Sequence, residues 1–129
     1  VIGNAILARG MTTVGLLGTR FTMESPLYRD ALAQRGISVL APDAEAREYV
    51  NRVIYEELVA GHIRESSRTG YIAIVQTLAQ RGAEGVILGC TEIPLLIGEA
   101  DTGLPLFDTT RLHAEAALAY AVLQQAPSL

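Results

Sequence analysis

The chain has no lysine and no tryptophan, and only one cysteine, two histidines and two phenylalanines among its 129 residues. Each scarcity removes a class of function. Without lysine there is no amine to form a Schiff base with a carbonyl substrate or with pyridoxal phosphate. A single cysteine, Cys90, leaves no internal disulfide and no multi-cysteine metal site. His62 and His113 lie too far apart in sequence for the short spacing of a metal-ligand pair. The ten basic residues are all arginines and are scattered, and the formal charge is -4 with a sequence pI of about 5.1. An acidic chain with few large aromatics carries no footprint for nucleic acid. No basic run marks a membrane or polyanion surface. No apolar stretch reaches the roughly 18 residues of a membrane span. The opening, Val1-Ile2-Gly3-Asn4, has no basic region leading into an apolar one, so a cytoplasmic setting is the expectation.

What the chain does have is apolar residues, half of the total, with 19% charged. That balance suits one α/β domain over residues 1–129 with a real core. Short apolar runs alternate with helical patterns. Thr12 to Leu17 reads as a strand ended by Gly18. Ser25-Pro26 opens a helix, with serine as N-cap and proline in the first turn, running to about Arg35 and stopping at Gly36. Ile37 to Leu40 is a second strand. Pro42-Asp43 caps a long helix whose Ala46, Tyr49, Val50, Val53, Ile54 and Leu58 follow the 3.6-residue period, with Gly61 closing it. A helix over Ser66 to Arg81 ends at Gly82. Val86-Ile87-Leu88 is a third strand, and a short helix begins after Gly89-Cys90-Thr91. Leu104 to Phe107 is a fourth strand. Asp108 or Thr109 then caps a last helix that ends near Gln125. Ala5, Ile6, Leu7 and Ala8, closed by Gly10, read as the last turns of a helix that starts upstream, so a piece of a longer protein is the expectation.

Strands alternating with helices imply a parallel sheet, here four-stranded, covered on both faces. Such sheets bind ligands at the carboxyl ends of the strands where strand order reverses. With an order of 2-1-3-4, strands one and three are neighbours. The loops after them, Gly18-Thr19-Arg20-Phe21-Thr22 and Gly89-Cys90-Thr91-Glu92, are the candidate site. Each residue there has a bland reading. A free cysteine is often a small buried apolar side chain, but Cys90 precedes a helix N-terminus, whose N–H groups lower a thiol pKa, and on the residues alone the two readings stand even. Thr91 can cap that helix, with Pro94 in its first turn. Glu92 suits the first turn of a helix in any case. Thr19 and Thr22 serve equally as helix caps, and Arg20 as a solvated charge. Asp108 reads as an N-cap, His113 as a structural or exposed histidine, and Ser66, Ser67 and Arg68 as a helix start.

Three blocks, in order, carry a resemblance. Gly85-Val86-Ile87-Leu88-Gly89-Cys90-Thr91-Glu92-Ile93-Pro94-Leu95-Leu96-Ile97, preceded by Arg81-Gly82-Ala83-Glu84, resembles the second cysteine motif of the aspartate/glutamate racemase family. Val14-Gly15-Leu16-Leu17-Gly18-Thr19-Arg20-Phe21-Thr22-Met23 resembles the segment that opens that family's second domain. Leu106-Phe107-Asp108-Thr109-Thr110-Arg111-Leu112-His113-Ala114-Glu115 resembles its last strand and returning helix.

The resemblance implies two similar α/β domains facing each other, each giving one cysteine to the cleft between them, in a homodimeric full-length protein. This chain would be the second half, and its partner the missing N-terminal domain. Residues 1–10 and 109–125 would lean on that domain and pack incompletely, leaving Ile6, Leu7, Leu118 and Val122 exposed. The implied reaction is cofactor-independent racemisation of an amino acid, with no metal. One base removes the Cα proton and a second group delivers a proton to the opposite face. Cys90 would be one acid/base. Thr91 would bind the α-carboxylate, and Glu92 would orient the site or grip the substrate ammonium. Thr19, Arg20 and Thr22 would contribute to substrate binding. Some members carry a lysine in the helix matching Val53 to Gly61, where this chain has Val59, and Asn4 stands where an acidic residue is usual. Hydantoin racemases and the decarboxylases and isomerases of the same superfamily are the rival assignments. An inactive ligand-binding half-domain is the rival from another class.

Overall fold

The computed structural model describes residues 2–112. The chain forms helix α1 (Ile2–Ala8), strand β1 (Thr13–Leu17), α2 (Arg20–Glu24), α3 (Pro26–Ala33), β2 (Ser38–Leu40) and α4 (Ala44–Val53). A π-helical segment (Ile54–Leu58) continues α4, and α5 (Glu65–Gln80), β3 (Val86–Leu88), α6 (Ile93–Leu96), α7 (Glu99–Thr102) and β4 (Leu106–Asp108) follow. Residues 109–112 begin a further helix. Each of the four apolar runs in the sequence becomes a strand, the last starting two residues and ending one residue later than read.

The strands form one sheet in the order β2-β1-β3-β4, and every pairing is parallel. This is the order that makes the two candidate loops neighbours. Alternation of side chains splits the apolar residues between two faces. Val14, Leu16, Ile87 and Phe107 point to one face, where Ile2 and Ile6 of α1 and Leu32 of α3 cover them. Leu17, Val86 and Leu88 point to the other, under Val50 and Val53 of α4, Ile54 and Leu58 of the π segment, Tyr71, Val75 and Leu78 of α5, and Ile93 and Leu96 of α6. A sheet buried on both faces needs unbroken apolar strands, and Val86-Ile87-Leu88 is fully buried.

Local signals explain most boundaries. Ser25 accepts a hydrogen bond from the Leu27 N–H at 3.2 Å, with Pro26 at N1. Asp43 accepts from the Ala46 N–H at 2.8 Å. Asp108 accepts from the Arg111 N–H at 3.2 Å at the start of the last described helix. Gly82, at φ +113°, ends α5 in a backbone conformation that side chains rarely adopt.

Three expectations change. The α1 segment does not leave an apolar face open as expected: Ile6 is fully buried and Ile2 nearly so, because both pack with Val14, Leu16, Ile87 and Phe107 on one face of the sheet, and of its large apolar side chains only Leu7 is exposed. Leu118 and Val122 lie outside the described residues. The long helix after Asp43 does not keep one geometry but passes into the π form at Ile54. The Tyr71 hydroxyl, buried, donates to the Val50 carbonyl at 2.7 Å just before that change. Finally, α5 starts at Glu65 after Arg64, which makes no side-chain cap. Ser67 turns inward and donates to the Glu57 carboxylate instead.

Candidate functional site

The register Leu16↔Ile87 and Leu17↔Leu88 brings the ends of β1 and β3 side by side. A glycine follows each strand, and the two glycines let the loops meet. The Gly89 N–H donates to the Leu17 carbonyl at 2.8 Å. A Cβ on Gly89 would lie 3.2 Å from Thr22 Cγ2 and 3.3 Å from the Leu17 carbonyl oxygen, and one on Gly18 would lie 3.2 Å from Thr22. Thr19 caps α2: its Oγ1 accepts from the Thr22 N–H at 3.3 Å and lies 3.2 Å from Thr22 Oγ1. Thr19, Thr22 and the Gly89-Cys90 turn therefore share one edge of the sheet, at the switch point between β1 and β3.

Cys90 is half-buried against the core beneath α4 and α5. Its thiol donates to Glu92 Oε2 at 3.0 Å. Burial first, and the Glu92 carboxylate second, push the thiol pKa up to about 11, against the pull of the Glu92 and Ile93 backbone N–H groups. The expectation of a lowered pKa is thus reversed. Its physical basis is present, since two N–H groups do address the sulfur. But α6 is a single turn, and lost hydration together with a neighbouring carboxylate outweighs it. The same contact acts oppositely on Glu92. Hydrogen bonds from Cys90, and then from Thr91, hold its carboxyl below the ordinary carboxylate value.

The other candidates divide. Thr91 is exposed and does not cap α6, whose first residue is Ile93 and whose N-cap position is Glu92, without a side-chain cap. The thiol and carboxylate occupy each other just before the helix, and Thr91 is left one residue too early to cap it. Arg20 turns toward α4: its guanidinium pairs with Glu48, and its backbone N–H donates to Asn51 Oδ1 at 2.8 Å. It is held away from Thr19 and Thr22. His113 lies outside the described residues.

Sequence reading missed one neighbour of Cys90, the buried Tyr71. Tyr71 has its phenol pushed above the ordinary value by burial and then by Cys90, Tyr49 and Glu57. Glu57, half-buried on the π segment, accepts from Ser67 and lies 3.8 Å from Arg64 Nε. The π segment packs against α6. A cleft of 390 Å³ between the β2–α4 loop and α5 is lined by Asp43, Arg47, Thr77 and Arg81, among others, and by none of the candidate residues. Among the described residues no group of three or more His, Cys, Asp and Glu is placed to hold a metal ion, and no helix is long and apolar enough to cross a membrane.

A four-stranded parallel sheet carries a thiol–carboxylate pair and two threonines at the loops after its two central strands. The family model for Asp/Glu/hydantoin racemases matches residues 2–117, and the chain belongs to that family. It is similar to a glutamate racemase of Thermus thermophilus, 33% identical over 114 residues, which cover 84% of this chain and 39% of that protein. Among solved structures, a Yersinia pestis protein described as a candidate Asp/Glu racemase is 48% identical with a TM-score of 0.88, covering 94% of this chain and 53% of that one. An aspartate racemase homologue from Pyrococcus horikoshii OT3 is 35% identical, again with a TM-score of 0.88 and the same coverage, 94% and 53%. The chain spans about half the length of these solved relatives.

Proposed function

We propose that this chain supplies one wall of a two-domain, cofactor-independent amino-acid racemase, with Cys90 as the acid/base for one face of Cα. The observation that carries the reading is the Cys90–Glu92 contact of 3.0 Å at the sheet's switch point. Racemisation needs two proton-transfer groups on opposite sides of Cα. This chain has one thiol, half-buried in the loop after β3, which suits one of two facing walls.

The arrangement supports a role for each group. Beside the Glu92 carboxylate Cys90 keeps its proton, ready to act as an acid. A substrate ammonium paired with Glu92 removes the carboxylate that stabilises the thiol. The Glu92 and Ile93 N–H groups then favour the thiolate, so binding itself prepares the base. Thr91, and more weakly Thr19 and Thr22, bind the α-carboxylate, where charge grows as the Cα proton leaves. Arg20 shapes the α2–α4 side and contributes less directly. The substrate is a free amino acid, and the setting is cytoplasmic.

The test uses this chain joined to its N-terminal domain, in deuterium oxide. Cα deuteration of an amino acid by that protein, with its loss of inversion in Cys90→Ser, is the expected result. This chain alone should invert nothing. In Cys90→Ser, deuterium wash-in without inversion should survive only from the enantiomer that faces the other base. A Cys90→Ser protein that racemises at the wild-type rate removes Cys90 from the mechanism.

A further inference from the structure

We infer that the cleft of 390 Å³ between the β2–α4 loop and α5 is a second small-molecule site, built for an organic monocarboxylate with an apolar body. Its volume falls at the lower end of the ~300–1,000 Å³ usual for ligand sites. No residue of the Cys90 loop lines this cleft, so the inference does not depend on the racemase reading.

Two arginines of the lining are anchored on consecutive carbonyls. Arg47 of α4 donates from Nη1 to the Pro42 carbonyl at 2.7 Å, and Arg81, which follows α5, donates from Nη1 to the Ala41 carbonyl at 2.9 Å. A guanidinium held in this way is preorganised, so less side-chain freedom is lost when a ligand binds. The charges of the lining can be resolved one by one. Asp43 accepts from the Ala46 N–H at 2.8 Å and sits at the positive end of α4. Arg47 also pairs through Nε with Glu24 at 3.2 Å. The Arg81 guanidinium, among the described residues, bonds to the Ala41 carbonyl alone, and most of its N–H donors stay available. One guanidinium is therefore placed to take one negative charge, which suits a carboxylate better than a doubly charged phosphate.

Apolar surface continues from that cation. Arg81, Leu78, Ile74 and Gly70 recur at spacings of three or four residues, which places them on one face along α5. Leu78 is buried and Ile74 half-buried, and both line the cleft with Pro42 and Ala46. A second hollow of 350 Å³ shares Asp43, Ala46 and Ile74 with the first and extends it past Tyr49 and Gly70. Gly70 makes room for the Tyr49 hydroxyl, which a Cβ there would meet. A carboxylate on Arg81 thus leaves an apolar body to lie over Leu78 and Ile74, in the direction of Tyr49.

The probe is 4-methylpentanoate, titrated into the nitrogen-15-labelled two-domain protein and followed by the amide resonances. Saturating shifts of the Ala46, Thr77 and Arg81 amides, with a Kd of about 1 mM or tighter, are the expected result. Two comparisons isolate the charge. 4-Methylpentanamide keeps the body and loses the charge, and should bind at least about tenfold more weakly. Arg81→Gln should weaken binding of the carboxylate by a similar factor. Inorganic phosphate, which lacks the body, should bind more weakly than the carboxylate. No saturable shift at these amides overturns the inference, as does binding confined to the Cys90 loop. Equal binding of the carboxylamide, or phosphate binding as tight as that of 4-methylpentanoate, overturns it as well. Both of these ligand comparisons use the unaltered protein, so they decide the matter even if Arg81→Gln fails to fold.

Discussion

The Cys90 thiol donates a hydrogen bond to Glu92 Oε2 across 3.0 Å, so one contact favours the neutral form of the first group and the charged form of the second. Replacing the carboxylate should release the thiol. In Glu92→Gln the thiol should titrate below about 11, the value it has beside the carboxylate. The ultraviolet absorbance of the thiolate, followed against pH, measures this. A midpoint that stays or rises would show that Glu92 does not set it.

The same shift has a consequence for stability, with a definite sign. A thiol raised from 9.0 to about 11 on folding binds its proton more tightly in the folded state. Its contribution is fully present below pH 9 and is lost as the pH climbs toward 11. Urea unfolding should therefore show the wild type losing stability across that window more steeply than Cys90→Ala. The difference should be at most about 3 kcal/mol, at about 1.4 kcal/mol per pH unit, and less with solvent screening. Parallel slopes in the two proteins would contradict the assignment.

Tyr71→Phe removes the buried hydrogen bond of 2.7 Å to the Val50 carbonyl while keeping the ring in the core. A loss of about 1–2 kcal/mol in unfolding free energy is expected, typical of one buried bond. No change would mean that the hydroxyl is not needed where α4 passes into the π segment.

Gly89→Ala tests the meeting of the two loops. The added methyl would lie 3.2 Å from Thr22 and 3.3 Å from a backbone oxygen, and backbone cannot yield as a side-chain tip can. A destabilisation of about 1–3 kcal/mol is expected, with a change in the reactivity of Cys90 toward alkylating agents. A variant as stable and as reactive as the wild type would show that the loops are looser than the contact distances imply.

Much of this was legible because its causes are local. The strand cores announce themselves as apolar runs, and Ser25 and Asp43 cap the helices that their side chains can reach. The sheet order follows once strands one and three are taken as neighbours. Other features depend on what no sequence window contains. The π segment keeps apolar Ile54 and Leu58 four residues apart, as a regular helix does, so a slip in its hydrogen bonding leaves no mark on the pattern. The short helices α2, α6 and α7 hold too few residues to show a period. A preference table selects Thr91 as a cap, yet the helix starts after Glu92. The thiol pKa is raised first by burial, which arises only when Cys90 packs against the core that helices distant in sequence complete. The burial of Ile6 likewise depends on β4, nearly a whole chain away.

The pairing of β1 with β3 joins two strands separated in sequence by α2, α3, β2, α4, the π segment and α5. Contacts of such long sequence separation form late and slowly, since loop closure has to precede them. This pairing puts the loop of Thr19 and Thr22 beside the loop of Cys90. Their meeting is therefore expected late in folding, with Cys90 a solvated thiol until then. Protection of that thiol against a rapid alkylating pulse would time the final step of folding.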